Sequence, residues 1–131
     1  MASVVPTEEQ EQQAFVQWLE IKGYPHHHSP NETGGGRGNA IRGRKMKIMG
    51  TSKGFPDLLV FLPIENRYGE VDAYQPIAIE MKRQKGGTTS QEQKGWLALL
   101  EQAGIPNEVC HGCKEAIEFV EQQMREVKGE Y

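Results

Sequence analysis

The stretch IAIEMKRQKGG, residues 77–87, decides how the rest of the chain is read. Its first half has the composition of a strand, yet Glu80 and Lys82 stand two apart at its end. Strand side chains alternate between faces, so this acid and this base share one. Burying both on an apolar strand is costly unless something pairs with them. The other apolar run, DLLVFLP at residues 57–63, opens with an acid, Asp57. There Asp57, Leu59 and Phe61 share a face; in PIAIEMK, residues 76–82, Ala78, Glu80 and Lys82 do. If the two runs pair as antiparallel neighbours, Asp57 approaches Glu80 with Lys82 beside them.

Two carboxylates that close repel each other unless a proton or a cation lies between them. Hard divalent cations take oxygen ligands, and Mg²⁺ in particular is held by one or two carboxylates plus phosphate and water. These residues therefore outline a metal site at a strand end. Asp57 and Glu80 are its ligands, the Met81 carbonyl is a further one, and a carboxylate of the first helix, Glu11 or Glu8, completes the shell. Lys82 would orient or activate a water, or steady the charge that builds up during attack on phosphorus. Taken singly, the same residues have blander readings. A surface Glu80–Lys82 pair is worth about 0–1 kcal/mol, and Asp57 after Pro56 is ordinary turn punctuation. Their combination and spacing reverse that balance.

The flanking segments read as an α/β order. Residues 7–22 form the first helix, with Thr7 as N-cap, Gln10 as its capping-box partner, and Phe15, Trp18 and Leu19 on the buried face. Residues 23–56, rich in Gly and Pro, are a long loop with room for a short helix or strand at 40–48; loops of that length in compact domains tend to be functional. A turn-rich connection, 65–73, links the two apolar runs. Ser90 caps a helix over 91–103, with Gln93 at its third position and Trp96, Leu97, Leu99 and Leu100 inward, and Gly104 stops it. A short strand follows at 107–111. The last helix spans 113–127, with Ala116, Ile117, Val120 and Met124 inward. The expected architecture is an α/β sandwich around a small mixed sheet.

Composition sets outer limits. The chain has 131 residues, 37% hydrophobic and 25% charged, which suits one compact domain. No run approaches the ~20 apolar residues of a membrane span, and the first residues lack the basic and apolar segments of a secretory leader. Two cysteines give no disulfide framework, so a reducing cytoplasm is the expected setting. The CHGC run at 110–113 lacks the second ligand pair of a structural zinc site. No P-loop ending follows the glycine runs, which speaks against a nucleotide cofactor. Net charge is −3, but Arg37, Arg42, Arg44, Lys45, Lys47 and Lys53 crowd into residues 37–53 without one acid. A local basic stripe of this kind suits a phosphate backbone.

GFPD at 54–57, followed by EMK at 80–82, resembles the PD-(D/E)XK nuclease signature. That two-part motif is weakly specific by itself. The wider pattern adds EQ in the first helix, the glycine-rich basic loop, KGFPDLLVF, and Gly86, Ser90, Gln93 and Trp96 at fixed places after the lysine. It resembles the VRR-NUC family, the virus-type replication and repair nucleases, in its minimal stand-alone phage and bacterial form, over roughly residues 8–121. The resemblance implies a single domain over 1–131 with a PD-(D/E)XK restriction-endonuclease-like core, a small mixed sheet flanked by helices. It assigns Asp57 and Glu80 to a Mg²⁺ or Mn²⁺ ion and Lys82 to catalysis. It assigns Glu11, with Glu8 and Glu9 in the same turn, to the metal shell, and makes Gln93 an active-site helper.

The implied activity is hydrolysis of DNA phosphodiesters in replication or repair. Stand-alone members look like Holliday-junction resolvases, so the expected substrate is branched DNA such as a four-way junction. The expected assembly is a homodimer whose two-fold axis suits paired cuts, working in the cytoplasm of a bacterial or phage-infected cell. Two other readings are a non-catalytic nucleic-acid-binding module and a sequence-specific restriction endonuclease.

Overall fold

The computed structural model describes residues 4–29 and 53–129. The first helix, α1, spans Glu8–Lys22. Thr7 and Gln10 form the expected capping box at its start, and Gly23 closes it in the left-handed region. A three-residue strand, β1, follows at His26–His28. Strand β2 spans Leu58–Glu65 and β3 spans Val71–Lys82. Helix α2 runs Gln91–Gln102, strand β4 Asn107–His111, and helix α3 Cys113–Val127. The four strands form one sheet in the order β1-β2-β3-β4. The first two pairings are antiparallel, and β3 runs parallel to β4 with α2 as the crossover.

The β2–β3 register explains the alternation seen in the sequence. Leu58 lies opposite Ile79 and Val60 opposite Ile77, so the next position outward brings Asp57 opposite Glu80. Leu58, Val60, Leu62, Ile77, Ile79 and Met81 face a dry core completed by Phe15 and Leu19 of α1 and by Ala116, Phe119 and Val120 of α3. The opposite face carries Ala78, Glu80 and Lys82. Helix α2 lies on that second face, since Gln93 bonds both Glu80 and Lys82.

Several local expectations are corrected. The triple histidine, read as loop, pairs with β2 as an edge strand; three polar residues without alternation carry no strand signal. The hairpin is longer than the sequence suggests, with the turn shortened to residues between Glu65 and Val71 and β3 extended back to Val71. Of those added residues, Val71 to Tyr74 are exposed and Gln75 half-buried, so no apolar alternation marked them. Leu99, expected inward, is 52% exposed, and Leu100 is the one buried residue of α2. In α3 the buried set includes Phe119 and Gln123 beside Ala116 and Val120. The element expected at 40–48 lies outside the described residues.

Candidate metal centre

The end of the sheet where β2 starts and β3 stops gathers the charged residues. Asp57, Glu80 and Lys82 are each at most 9% exposed. Asp57 Oδ2 accepts the Met81 backbone N–H at 2.7 Å. Its own carbonyl accepts the Ser29 N–H at 2.8 Å and lies 3.1 Å from His28 Nδ1, so the edge strand pins the backbone of the acid. Glu80 Oε2 accepts from Gln93 Nε2 at 3.0 Å and lies 3.8 Å from Lys82 Nζ. Lys82 Nζ also donates to Gln93 Oε1 at 3.3 Å. Gln93 thus bridges the acid and the base with the two ends of one amide.

Burial, followed by the neighbouring Asp57 charge and a hydrogen bond with the Asp57 carboxyl, pushes Glu80 up to about 9; Lys82 offsets only part of this. Glu80 Oε1 is buried without a donor. A buried carboxylate oxygen in that state calls for a proton or a cation. The donors present are all oxygens on two facing carboxylates, and the Met81 peptide borders them on the β2 side of β3. Even positions of β3 serve β4, as Ala78 N–H and Lys82 carbonyl do, so Met81 turns its polar backbone toward Asp57. This donor set fits a hard divalent ion. Among the described residues no three His, Cys, Asp or Glu side chains form a ready-made cage. A divalent ion held by these two carboxylates would take its remaining ligands from substrate phosphate and water.

The two inward carboxylates of α1 differ in their surroundings. Glu8, at the first position of α1, is raised by burial first and by Asp57 second, with Lys82 lowering it. It also adds the smallest part of the upward push on Glu80. Glu11, expected in the metal shell, is buried and tied to the start of α3. Its Oε2 accepts the Cys113 N–H at 3.2 Å and Gln84 Nε2 at 3.4 Å. A carboxylate at the first turn of α3 is favoured by the helix dipole and by the unpaired N–H groups there. Helical spacing placed both acids on the inward side of α1, and the start of α3 gives Glu11 a hydrogen-bond partner that the Glu8 side chain lacks among the described residues.

Other expected residues divide as follows. Lys53 is described, exposed, and 4.0 Å from Glu92 at the start of α2. Arg37, Arg42, Arg44, Lys45 and Lys47 lie outside the described residues. Cys110 is buried in β4, where burial raises its thiol to about 12, and Cys113 opens α3. The sequence offered no sign of the part played by Gly54. With φ of +88°, it lies so close to α2 that a Cβ there would meet Glu92 at 2.7 Å and Gln93 N at 2.8 Å. Phe55 then stacks edge-on against Trp96, ring centroids 5.0 Å apart. Gly87 lies more loosely over the aliphatic stem of Lys82, where a notional Cβ would meet it at 3.5 Å, an ordinary contact distance.

Among the described residues no helix is long and apolar enough to cross a membrane. A search of the curated proteins gives no match. Among solved structures, one described as a "VRR_NUC domain protein" superposes with a TM-score of 0.68 at 23% identity, covering 95% of this chain and 92% of that one. The likeness at that identity is one of fold. The VRR-NUC domain model matches residues 6–114, a span that holds Glu8, Asp57, Glu80, Lys82 and Gln93 together. The chain therefore belongs to the VRR-NUC domain family of nucleases.

Proposed function

We propose that the protein is a divalent-metal-dependent DNA endonuclease that selects branched substrates. The observation that carries this reading is the buried Asp57–Glu80 pair, with the Lys82 amine 3.8 Å from Glu80, on the face of the sheet away from the core. Such an arrangement is expensive in a metal-free fold, and none of the three residues belongs to the hydrophobic core cluster.

Asp57 and Glu80 would hold Mg²⁺ or Mn²⁺, with the Met81 carbonyl and Glu8 at the margin. The bound ion supplies Lewis acidity toward the phosphate and lowers the pKa of water beside it. The protein's own groups do the rest. The Met81 N–H fixes the Asp57 carboxylate. Gln93 holds the Glu80 carboxylate from one side and the Lys82 amine from the other. Lys82, nine-tenths buried, sets its amine at the place where negative charge grows during attack on phosphorus. The basic residues 37–53 supply sequence-independent contacts to the DNA backbone, so binding depends on shape and falls steeply with salt. A homodimer with two such sites would match a symmetric four-way junction and a role in replication or repair.

The test is cleavage of end-labelled junction, flap and duplex DNA with Mg²⁺ or Mn²⁺. The wild-type protein should cut branched substrates in preference to duplex. Asp57→Ala and Lys82→Ala should each lower the rate by more than about a hundredfold while remaining folded and able to bind. Binding without cutting by the wild-type protein would replace the enzyme with a recognition module. Defined fragments from linear plasmid would point to sequence-specific restriction instead.

A further inference from the structure

Gln93 cannot hold Glu80 and Lys82 unless its amide is turned one way. An amide has a donor end and an acceptor end, and a half-turn would set its NH₂ against the Lys82 amine and its oxygen against Glu80. Something must choose between the two orientations. Glu80 and Lys82 contribute to the choice, but both belong to the site that has to be held. The independent contact comes from Ser90. Its backbone N–H donates to Gln93 Oε1 at 2.9 Å, and its Oγ accepts the Gln93 backbone N–H at 3.1 Å. This is a capping box, with Gln93 at the third helical position. Here the box has a second use, because the same Oε1 receives the Lys82 amine.

Resting on the nuclease reading above, we propose that Ser90 is a positioning residue for the reaction. It acts through Gln93: the α2 cap fixes the amide so that its oxygen faces Lys82 and its nitrogen faces Glu80. The cap itself is anchored to the segment that leads into β2 and bears Asp57. Gly54 lies against the backbone of the first turn of α2, and Phe55 packs on Trp96 one turn further along. The rest of α2 is held lightly, with Leu100 its one buried residue. The first turn of the helix is therefore placed by the site, and it orients the site's bridging amide in return. Ser90 touches neither the acids nor the lysine in any hydrogen bond described, so its effect on the rate is indirect.

The experiment compares wild type, Ser90→Ala, Ser90→Thr and Gln93→Glu in two readouts. The first needs no activity: hydrogen exchange and chemical shift of the Gln93 side-chain NH₂ in nitrogen-15 spectra of the metal-free protein. The second is the single-turnover cleavage rate at saturating branched DNA, with DNA affinity measured separately. Wild type should show a protected, shifted NH₂. Ser90→Ala keeps the backbone N–H but loses the hydroxyl that seats the first turn of α2 on it. The amide should therefore lose protection and cleavage should slow about tenfold with affinity unchanged; Ser90→Thr, which keeps a capping hydroxyl, should restore both. Gln93→Glu keeps the capping acceptor but cannot donate to Glu80, so it should remain folded and fail to cut. If Ser90→Ala keeps the protected amide, or cuts at the wild-type rate, the inference is overturned; failure of Ser90→Thr to restore the amide also overturns it. A wild-type protein that cuts nothing, with the NH₂ protection still lost in Ser90→Ala and regained in Ser90→Thr, would remove the nuclease reading and leave the cap's control of the amide standing.

Discussion

Glu8 and Glu11 stand three residues apart on α1, so one turn of helix separates an acid near the Asp57–Glu80 pair from an acid that closes another helix. The difference is measurable. Glu11→Ala would leave the Cys113 N–H without its acceptor in a partly buried place, which should cost about 1–2 kcal/mol of stability. Glu11→Gln retains an acceptor oxygen and should cost clearly less. Cleavage by either variant, measured where both are folded, should stay close to wild type. Glu8→Ala should behave the opposite way, melting within a degree or two of wild type but cutting at least about tenfold more slowly. Loss of cutting by Glu11→Ala with its melting point intact would return that residue to the metal shell. Sequence could bring the choice down to one turn of helix and no further. It contained the inward spacing of the acids, but not the arrival of Cys113 at one of them from 102 positions away. Asp57, Glu80 and Lys82 were legible because the two-residue period of strands and one antiparallel pairing suffice to bring them together.

Elements were legible where they bury a face or announce a cap, and illegible where they do neither. Both capping boxes are written in four residues each, Thr7 to Gln10 and Ser90 to Gln93, and both form. The apolar centres of β2 and β3 are equally plain. His26–His28 gave no pattern, and residues 71–75 gained their strand from pairing across the hairpin instead of from burial. Leu99 shows the limit of helical periodicity when a helix has little to pack on. The close approach of Gly54 to α2 was likewise invisible, since a glycine after Lys53 reads as turn chemistry. Its substitution is a test of the element. Gly54→Ala places a Cβ in the left-handed region, which costs about 1–2 kcal/mol alone, and drives it into the backbone of the first turn of α2. The helix must shift away from the Asp57 strand. Melting should fall by several degrees, the Trp96 fluorescence should change as Phe55 moves, and cleavage should drop with DNA binding retained. An alanine variant that melts and cuts like wild type would mean that α2 takes its place from other contacts.

At the scale of the whole molecule, the fold and the ion are linked through Glu80. The group's pKa is 4.5 when exposed and about 9 in the folded, metal-free protein. Between those values the folded state binds a proton that the unfolded chain has released. The slope of unfolding free energy with pH follows the protons bound by the unfolded state minus those bound by the folded one, so here it is negative. The stabilising effect of the protonated group is complete below pH 4.5 and is lost as pH rises through about 9. A divalent ion competes with that proton for the same oxygens, so its affinity should increase over the same range. Because it binds the folded state alone, it stabilises by mass action. Melting curves with and without Mn²⁺ should therefore separate little near about pH 6 and widely near about pH 8.5. Glu80→Gln cannot carry the charge. It should melt higher than wild type at the alkaline end without metal, and Mn²⁺ should no longer shift it. A metal-induced shift that is the same at both pH values, or that survives in Glu80→Gln, would place the ion somewhere other than between Asp57 and Glu80.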